Sequence, residues 1–118
     1  MPYRSTKIEE NMKMLQKTIS YTFNNNNILK EALTHSSFAN ESKTKKIKYN
    51  ERLEFLGDSI LGLVISEYIF LKYKHLPEGE LTKVRAMVVC EPSLARQSKE
   101  IQLGNYLLLG KGEEFTGG

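Results

Sequence analysis

From residue 50 to residue 73 the chain contains no proline, and its apolar residues keep a helical rather than a strand period. The second half of this stretch, with Ile60, Leu61, Leu63, Val64, Ile65, Tyr68, Ile69, Phe70 and Leu71, is apolar nearly all round. A helix without a polar face belongs in the interior of its domain. The expected fold is therefore all-α, a helical bundle around a long buried central helix.

The rest of the chain points the same way. Thr6-Lys7-Ile8-Glu9 reads as a capping box, and Ile8, Met12, Leu15 and Ile19 follow at helical spacing. Asn24 to Asn27 make a polar turn that can cap a second helix, ILKEALTHSSF, from Ile28. Pro77 and Gly79 interrupt the pattern, and Leu81, Val84 and Val88 resume it. Pro92 opens a further helix that Gly104 stops. The tail, GNYLLLGKGEEFTGG, has no helical period.

At 118 residues the chain fits a single domain over 1–118. Its one cysteine, Cys90, rules out a disulfide framework and suits a reducing compartment; beside Met87, Val88 and Val89 it reads as a core residue. The N-terminus has no apolar signal segment, and no apolar run approaches the ~20 residues that span a bilayer. A soluble, cytoplasmic protein without membrane contact is expected. Residues 1–50 carry nine Lys/Arg against four Glu, a balance of +5, whereas residues 51–118 carry eight against ten acids, a balance of −2. A basic front half suits a polyanionic partner or is simply solvated helix surface. There is a single Asp, Asp58, against thirteen Glu.

That aspartate lies on the long helix. At ~100° per residue, Glu51, Glu54 and Asp58 fall within roughly 60° of one another, while Leu53, Leu56, Ile60 and Val64 form a separate core stripe. Complementing the helix dipole accounts for Glu51 and Glu54 but poorly for Asp58, which lies deeper. The other reading is a hard-cation site, since Mg²⁺ takes oxygen ligands and keeps several waters. A di-iron site wants Glu-x-x-His pairs, and Glu31 precedes His35 by four residues. Phe55 projects off the core stripe, so it is either covered by a neighbouring segment or fills a partner's pocket. Gly57 and Gly62 would let another backbone approach this helix closely, such as that of a second copy.

The string NERLEFLGDS (50–59) resembles the signature of ribonuclease III, the double-stranded-RNA endonuclease. ALTHSSF (32–38), LPEGELTKVRA (76–86) and LGKGEEFTGG (109–118) resemble family segments in the same order. The resemblance implies an all-helical endonuclease domain that hydrolyses duplex RNA with Mg²⁺, Mn²⁺ being able to substitute, to leave 5′-phosphate and 3′-hydroxyl ends. It implies a homodimer with a cleft across the subunit boundary. Glu54 and Asp58 match metal-binding carboxylates, and Glu51 the first acid of the signature, within the same acidic site. Glu78 matches a glutamate near the scissile phosphate once the dimer has formed, and Phe55 an aromatic seated in a socket of the partner subunit.

In the family the glycine pair leads into a helix with another Asp and Glu that complete the metal site. This sequence ends at Gly118, so an endonuclease domain incomplete at its C-terminus, without a double-stranded-RNA-binding domain and inactive alone, is expected. A non-catalytic dimerisation or RNA-scaffold module of the same fold is the alternative, although a scaffold has no use for a repulsive acidic face. His35 reads as a structural hydrogen-bonding group. Lys43, Lys45, Lys46 and Lys48 are either solvated or near phosphates; Arg52 and Arg85 could pair with phosphates or with neighbouring carboxylates, and pairing within the chain is the expectation.

Overall fold

The computed structural model describes residues 2–42 and 46–116. Its helices are α1 (Pro2–Ile19), α2 (Asn26–Leu33), α3 (Ser36–Asn40), α4 (Glu51–Lys72), α5 (Glu78–Val89), α6 (Glu91–Glu100) and α7 (Lys111–Thr116), with a 3₁₀ turn at Leu103–Asn105. Among the described residues there is no strand, only one isolated parallel bridge between Thr34 and Leu108. The all-α expectation holds.

The core gathers Met12 and Leu15 of α1, Leu29 and Leu33 of α2, and Tyr106, with Ile8, Phe23, Ile101, Leu103 and Leu107 packed around them. α1 begins at Pro2, so Thr6 stands inside the helix rather than at its cap. Gln16 is the one long polar side chain buried here. Its amide donates to the Met12 carbonyl at 3.1 Å, and its oxygen accepts the Phe23 N–H at 2.7 Å. Both ends are satisfied, so the burial carries no unpaired-group penalty and ties the turn after α1 beneath the helix. Asn25 caps α2 by accepting the Asn27 N–H at 2.9 Å, as the asparagine run suggests.

Two local expectations give way to tertiary bonds. ILKEALTHSSF is not one helix, because Thr34 and His35 are extended and divide α2 from α3. The His35 N–H donates to Leu108 O at 2.9 Å, the Leu108 N–H to Leu33 O at 2.8 Å, and the Asn50 N–H to Thr34 O at 3.0 Å. These bonds replace helical ones, so the break costs no backbone hydrogen bond. Thr34, 1% exposed, sits at the node and donates its hydroxyl to Lys30 O at 2.6 Å. The tail, in turn, holds α7, which the absence of a periodic apolar stripe did not reveal.

The long helix exists, but in this chain it is not buried. α5 folds back along its second half, and Arg85 Nη1 donates to Ser66 Oγ at 2.8 Å across the pair. Leu81, Val84 and Val89 are the half-buried side chains of α5, while Met87 and Val88 stay exposed. On α4 only Ile69 is buried, and Leu56, Ile60, Leu63, Val64, Tyr68, Phe70 and Leu71 are exposed. The expected core stripe is therefore corrected: of its members only Leu53 is half-buried. The reason is coverage, because among the described residues α2 and α5 are the elements packed substantially on α4 and they cannot surround it. Cys90 is likewise exposed rather than in the core. The molecule measures 56 × 27 × 23 Å with a radius of gyration of 17.0 Å, against about 13.5 Å for a compact chain of this length. It exposes 9747 Å², where a globular monomer of this mass exposes roughly 6,500 Å².

Candidate functional site

The acid face begins where the chain leaves the core. Asn50 is tied to the α2–α3 junction through its backbone N–H and through its side-chain amide, which donates to Ala32 O at 3.3 Å. Its carbonyl accepts the Glu54 N–H at 2.8 Å, starting α4 from a fixed point. Helical geometry then sets Glu51, Glu54 and Asp58 in order along one side, and all three are exposed. The single ion pair among the described residues joins Lys83 to Glu80 at 3.4 Å, well away in sequence. Among the described residues none of the three acids is paired with a cation. The expectation that Arg52 and Arg85 pair with carboxylates is corrected: Arg85 bonds a serine hydroxyl, and Arg52 makes no ion pair among the described residues.

Around this face lie two open depressions. One, of about 730 Å³, is lined by Glu31, Glu51, Arg52, Leu53, Phe55 and Leu56. The other, of about 560 Å³, adds Lys46, Lys48 and Tyr49 to Glu31, Glu51 and Arg52. Two of the lysines singled out in the sequence thus share a depression with Glu51, the first acid of the row; Lys43 and Lys45 lie outside the described residues. Tyr49 is a neighbour that periodicity could not reveal, because it precedes the helix and meets Glu51 across the cap. The hydrogen bond to Glu51, then that carboxylate's charge and then burial, hold the Tyr49 hydroxyl above its ordinary pKa.

Glu78 is not part of this group. It opens α5 at the far end of the antiparallel α4–α5 pair, roughly 20 Å along the helix axis from Asp58 by helical rise from the Arg85–Ser66 contact. Phe55 is 81% exposed, consistent with its place off the core stripe. A Cβ at Gly57 or Gly62 would meet nothing within 4 Å, so among the described residues no other segment makes the close approach these glycines permit. His35 is structural here: its ring accepts the Ser37 N–H at 3.1 Å and caps α3.

The donor set suits a hard cation in kind, since all three side chains offer carboxylate oxygen. In number it falls short: among the described residues no group of three or more His, Cys, Asp and Glu side chains is gathered closely enough to hold a metal ion. No helix is long and apolar enough to cross a membrane, again among the described residues.

Fold and face together describe an all-helical domain with a row of exposed acids on its longest helix, the first of them beside Lys46, Lys48 and Arg52. Residues 25–118 match the family model described as ribonuclease-III-like. Ribonuclease 3 of Bacillus cereus (strain AH820) is 51% identical over 125 residues, covering 100% of this chain and 51% of that protein. The nuclease domain of ribonuclease III from Campylobacter jejuni aligns with a TM-score of 0.80 and 42% identity, over 90% of this chain and 70% of that one. That structure is described as flexible in a region involved in dimer formation. A second structure of the same domain aligns at 0.79 and 43% identity, over 91% and 69%. The chain belongs to the ribonuclease-III-like family, and it spans about half the length of the curated relatives it matches.

Proposed function

We propose that these residues form the nuclease domain of a homodimeric endoribonuclease that cleaves double-stranded RNA, dependent on Mg²⁺, with Mn²⁺ able to substitute. The observation that carries this reading is the row Glu51, Glu54 and Asp58, exposed and, among the described residues, without a cationic partner, in a chain of net charge +3. Three carboxylates repel one another and would repel a phosphodiester even more. Such a face approaches RNA usefully only if a divalent cation lies between them.

When bound there, Mg²⁺ would polarise the phosphodiester and lower the pKa of a water. Glu54 and Asp58, with Glu51, would hold it from one side, and its remaining ligands must come from elsewhere. Lys46, Lys48 and Arg52 border the face and would attract neighbouring phosphates, the dominant contact with duplex RNA. Hydrolysis adds water to phosphorus as the bond to the 3′ oxygen breaks, leaving a 5′-phosphate and a 3′-hydroxyl. Glu78 is too distant to share a phosphate with Asp58 of its own chain, so any role in cleavage requires a second copy. The exposed apolar flank of α4, with Phe55 at its edge, is the surface on which we place that copy. Processing of ribosomal RNA in the cytoplasm fits this activity.

The test is cleavage of a labelled RNA duplex with and without Mg²⁺ by the full-length protein. Asp58→Ala is expected to slow cleavage about 10²–10³-fold, the equivalent of several kcal/mol of lost charge stabilisation. Folding should persist, because removing an acid from this face relieves repulsion. Duplex binding and dimerisation without any Mg²⁺-dependent cleavage would establish the scaffold reading instead.

A further inference from the structure

The chain returns from the 3₁₀ turn to the α2–α3 junction and is fastened there by side chains as well as by backbone. The Gly110 N–H donates to Ser37 Oγ at 2.8 Å, and the Lys111 N–H donates to Glu41 Oε2 at 2.6 Å. Ser37 Oγ lies 2.7 Å from His35 Nδ1, which also accepts the Ser37 N–H. Ser37 Oγ accepts the Gly110 N–H and can still give its own proton to that nitrogen, whose one lone pair is then shared between the Ser37 N–H and O–H.

Gly110 precedes the first residue of α7, and its carbonyl accepts the Glu114 N–H at 3.0 Å. It therefore occupies the cap position, yet it has no side chain to satisfy the first free amides of the helix. Glu41, at the end of α3, supplies the missing acceptor from outside, and its charge also suits a helix N-terminus. The space allows nothing larger than glycine. A Cβ at Gly110 would lie 2.7 Å from Glu41 Oε2 and 2.8 Å from the Ser37 carbonyl oxygen, and the second of these is backbone that cannot swing aside. The same junction carries Asn50, and through it the start of α4.

The geometry points to Ser37 and Glu41 as positioning residues: by seating Gly110 and Lys111 on α3 they hold α7 in register with the acid-bearing start of α4. This rests on the nuclease proposal. A site that needs more ligands than Glu51, Glu54 and Asp58 provide depends on the chain beyond the junction being held as firmly as α4 itself.

The test uses the full-length protein with Cys90→Ser and spin labels at Ser59→Cys on α4 and Gly112→Cys on α7. Both positions are exposed, and a Cβ at Gly112 meets nothing within 4 Å. Glu41→Ala should widen the label-to-label distance distribution at least twofold and speed exchange of the Lys111 amide at least tenfold. In the unlabelled protein it should lower kcat on duplex RNA at least fivefold, with KM within twofold. Glu41→Gln, which keeps an acceptor oxygen, should recover most of each effect. An unchanged distribution and exchange rate would overturn the latch, and a widened distribution with unchanged kcat would overturn its role in positioning. A wild-type protein that cleaves no duplex RNA overturns the nuclease reading and the positioning role with it, while the distance distribution still decides whether the latch exists.

Discussion

The two halves of this molecule spend their apolar residues differently. Around α1, α2 and the returning tail, leucines are buried to 3–5% exposure and the one buried glutamine is bonded at both ends. Along α4 and α5 the side chains are no less apolar, yet most face outward, and few polar bonds link the arm to anything else. The first region is closed by the chain itself. The second leaves a run of large apolar side chains, from Leu56 to Leu71, facing outward, and a contiguous apolar patch of that kind marks an interaction surface.

The largest way to break this contrast is to truncate one aliphatic side chain in each region. Leu29→Ala should cost about 2–5 kcal/mol, the usual penalty for a cavity in a closed core, whereas Val64→Ala in dilute protein should change stability by less than about 0.5 kcal/mol. Urea unfolding followed by circular dichroism measures both, and equal losses would mean that the arm is as closed as the core. A second comparison concerns assembly. Phe55→Ala should weaken self-association at least tenfold, about 1.4 kcal/mol, in sedimentation equilibrium. The mutant monomer should unfold where the wild-type monomer does. An unchanged mass distribution at low concentration would remove Phe55 from the interface.

The smallest effect lies at the boundary between the regions, where Tyr49 meets Glu51. The folded state raises the Tyr49 pKa, so this contact stabilises the fold fully below the ordinary tyrosine value of about 10 and is lost as pH rises through the folded one. Glu51→Gln removes the negative charge and should return the phenol toward its ordinary titration, read from its ultraviolet absorbance. A titration curve that does not move would show that the two side chains do not interact in solution.

Much of the site was legible before the fold. The helical repeat alone places Glu51, Glu54 and Asp58 on one side of α4 and Phe55 off the apolar stripe, because both follow from residue spacing on a regular helix. The neighbours of the acids were not legible in the same way. Lys46, Lys48 and Tyr49 reach the face from an irregular segment whose path depends on Asn50 being fastened to Thr34 and Ala32. Glu78 is separated from Asp58 by the hairpin's antiparallel course, a distance that no local pattern encodes.

Sequence by itself determined the helical class, the long helix with its acid row and the asparagine cap of α2, since each depends on interactions within a few residues. The tertiary structure decided where α2 breaks, because Leu108 and Asn50 compete for the backbone groups of Leu33, Thr34 and His35. It also decided that the apolar residues of α4 stay exposed in a single chain. Periodicity reports that a helix face avoids water, but what covers that face depends on which other surfaces are within reach, and here α5 reaches only one side.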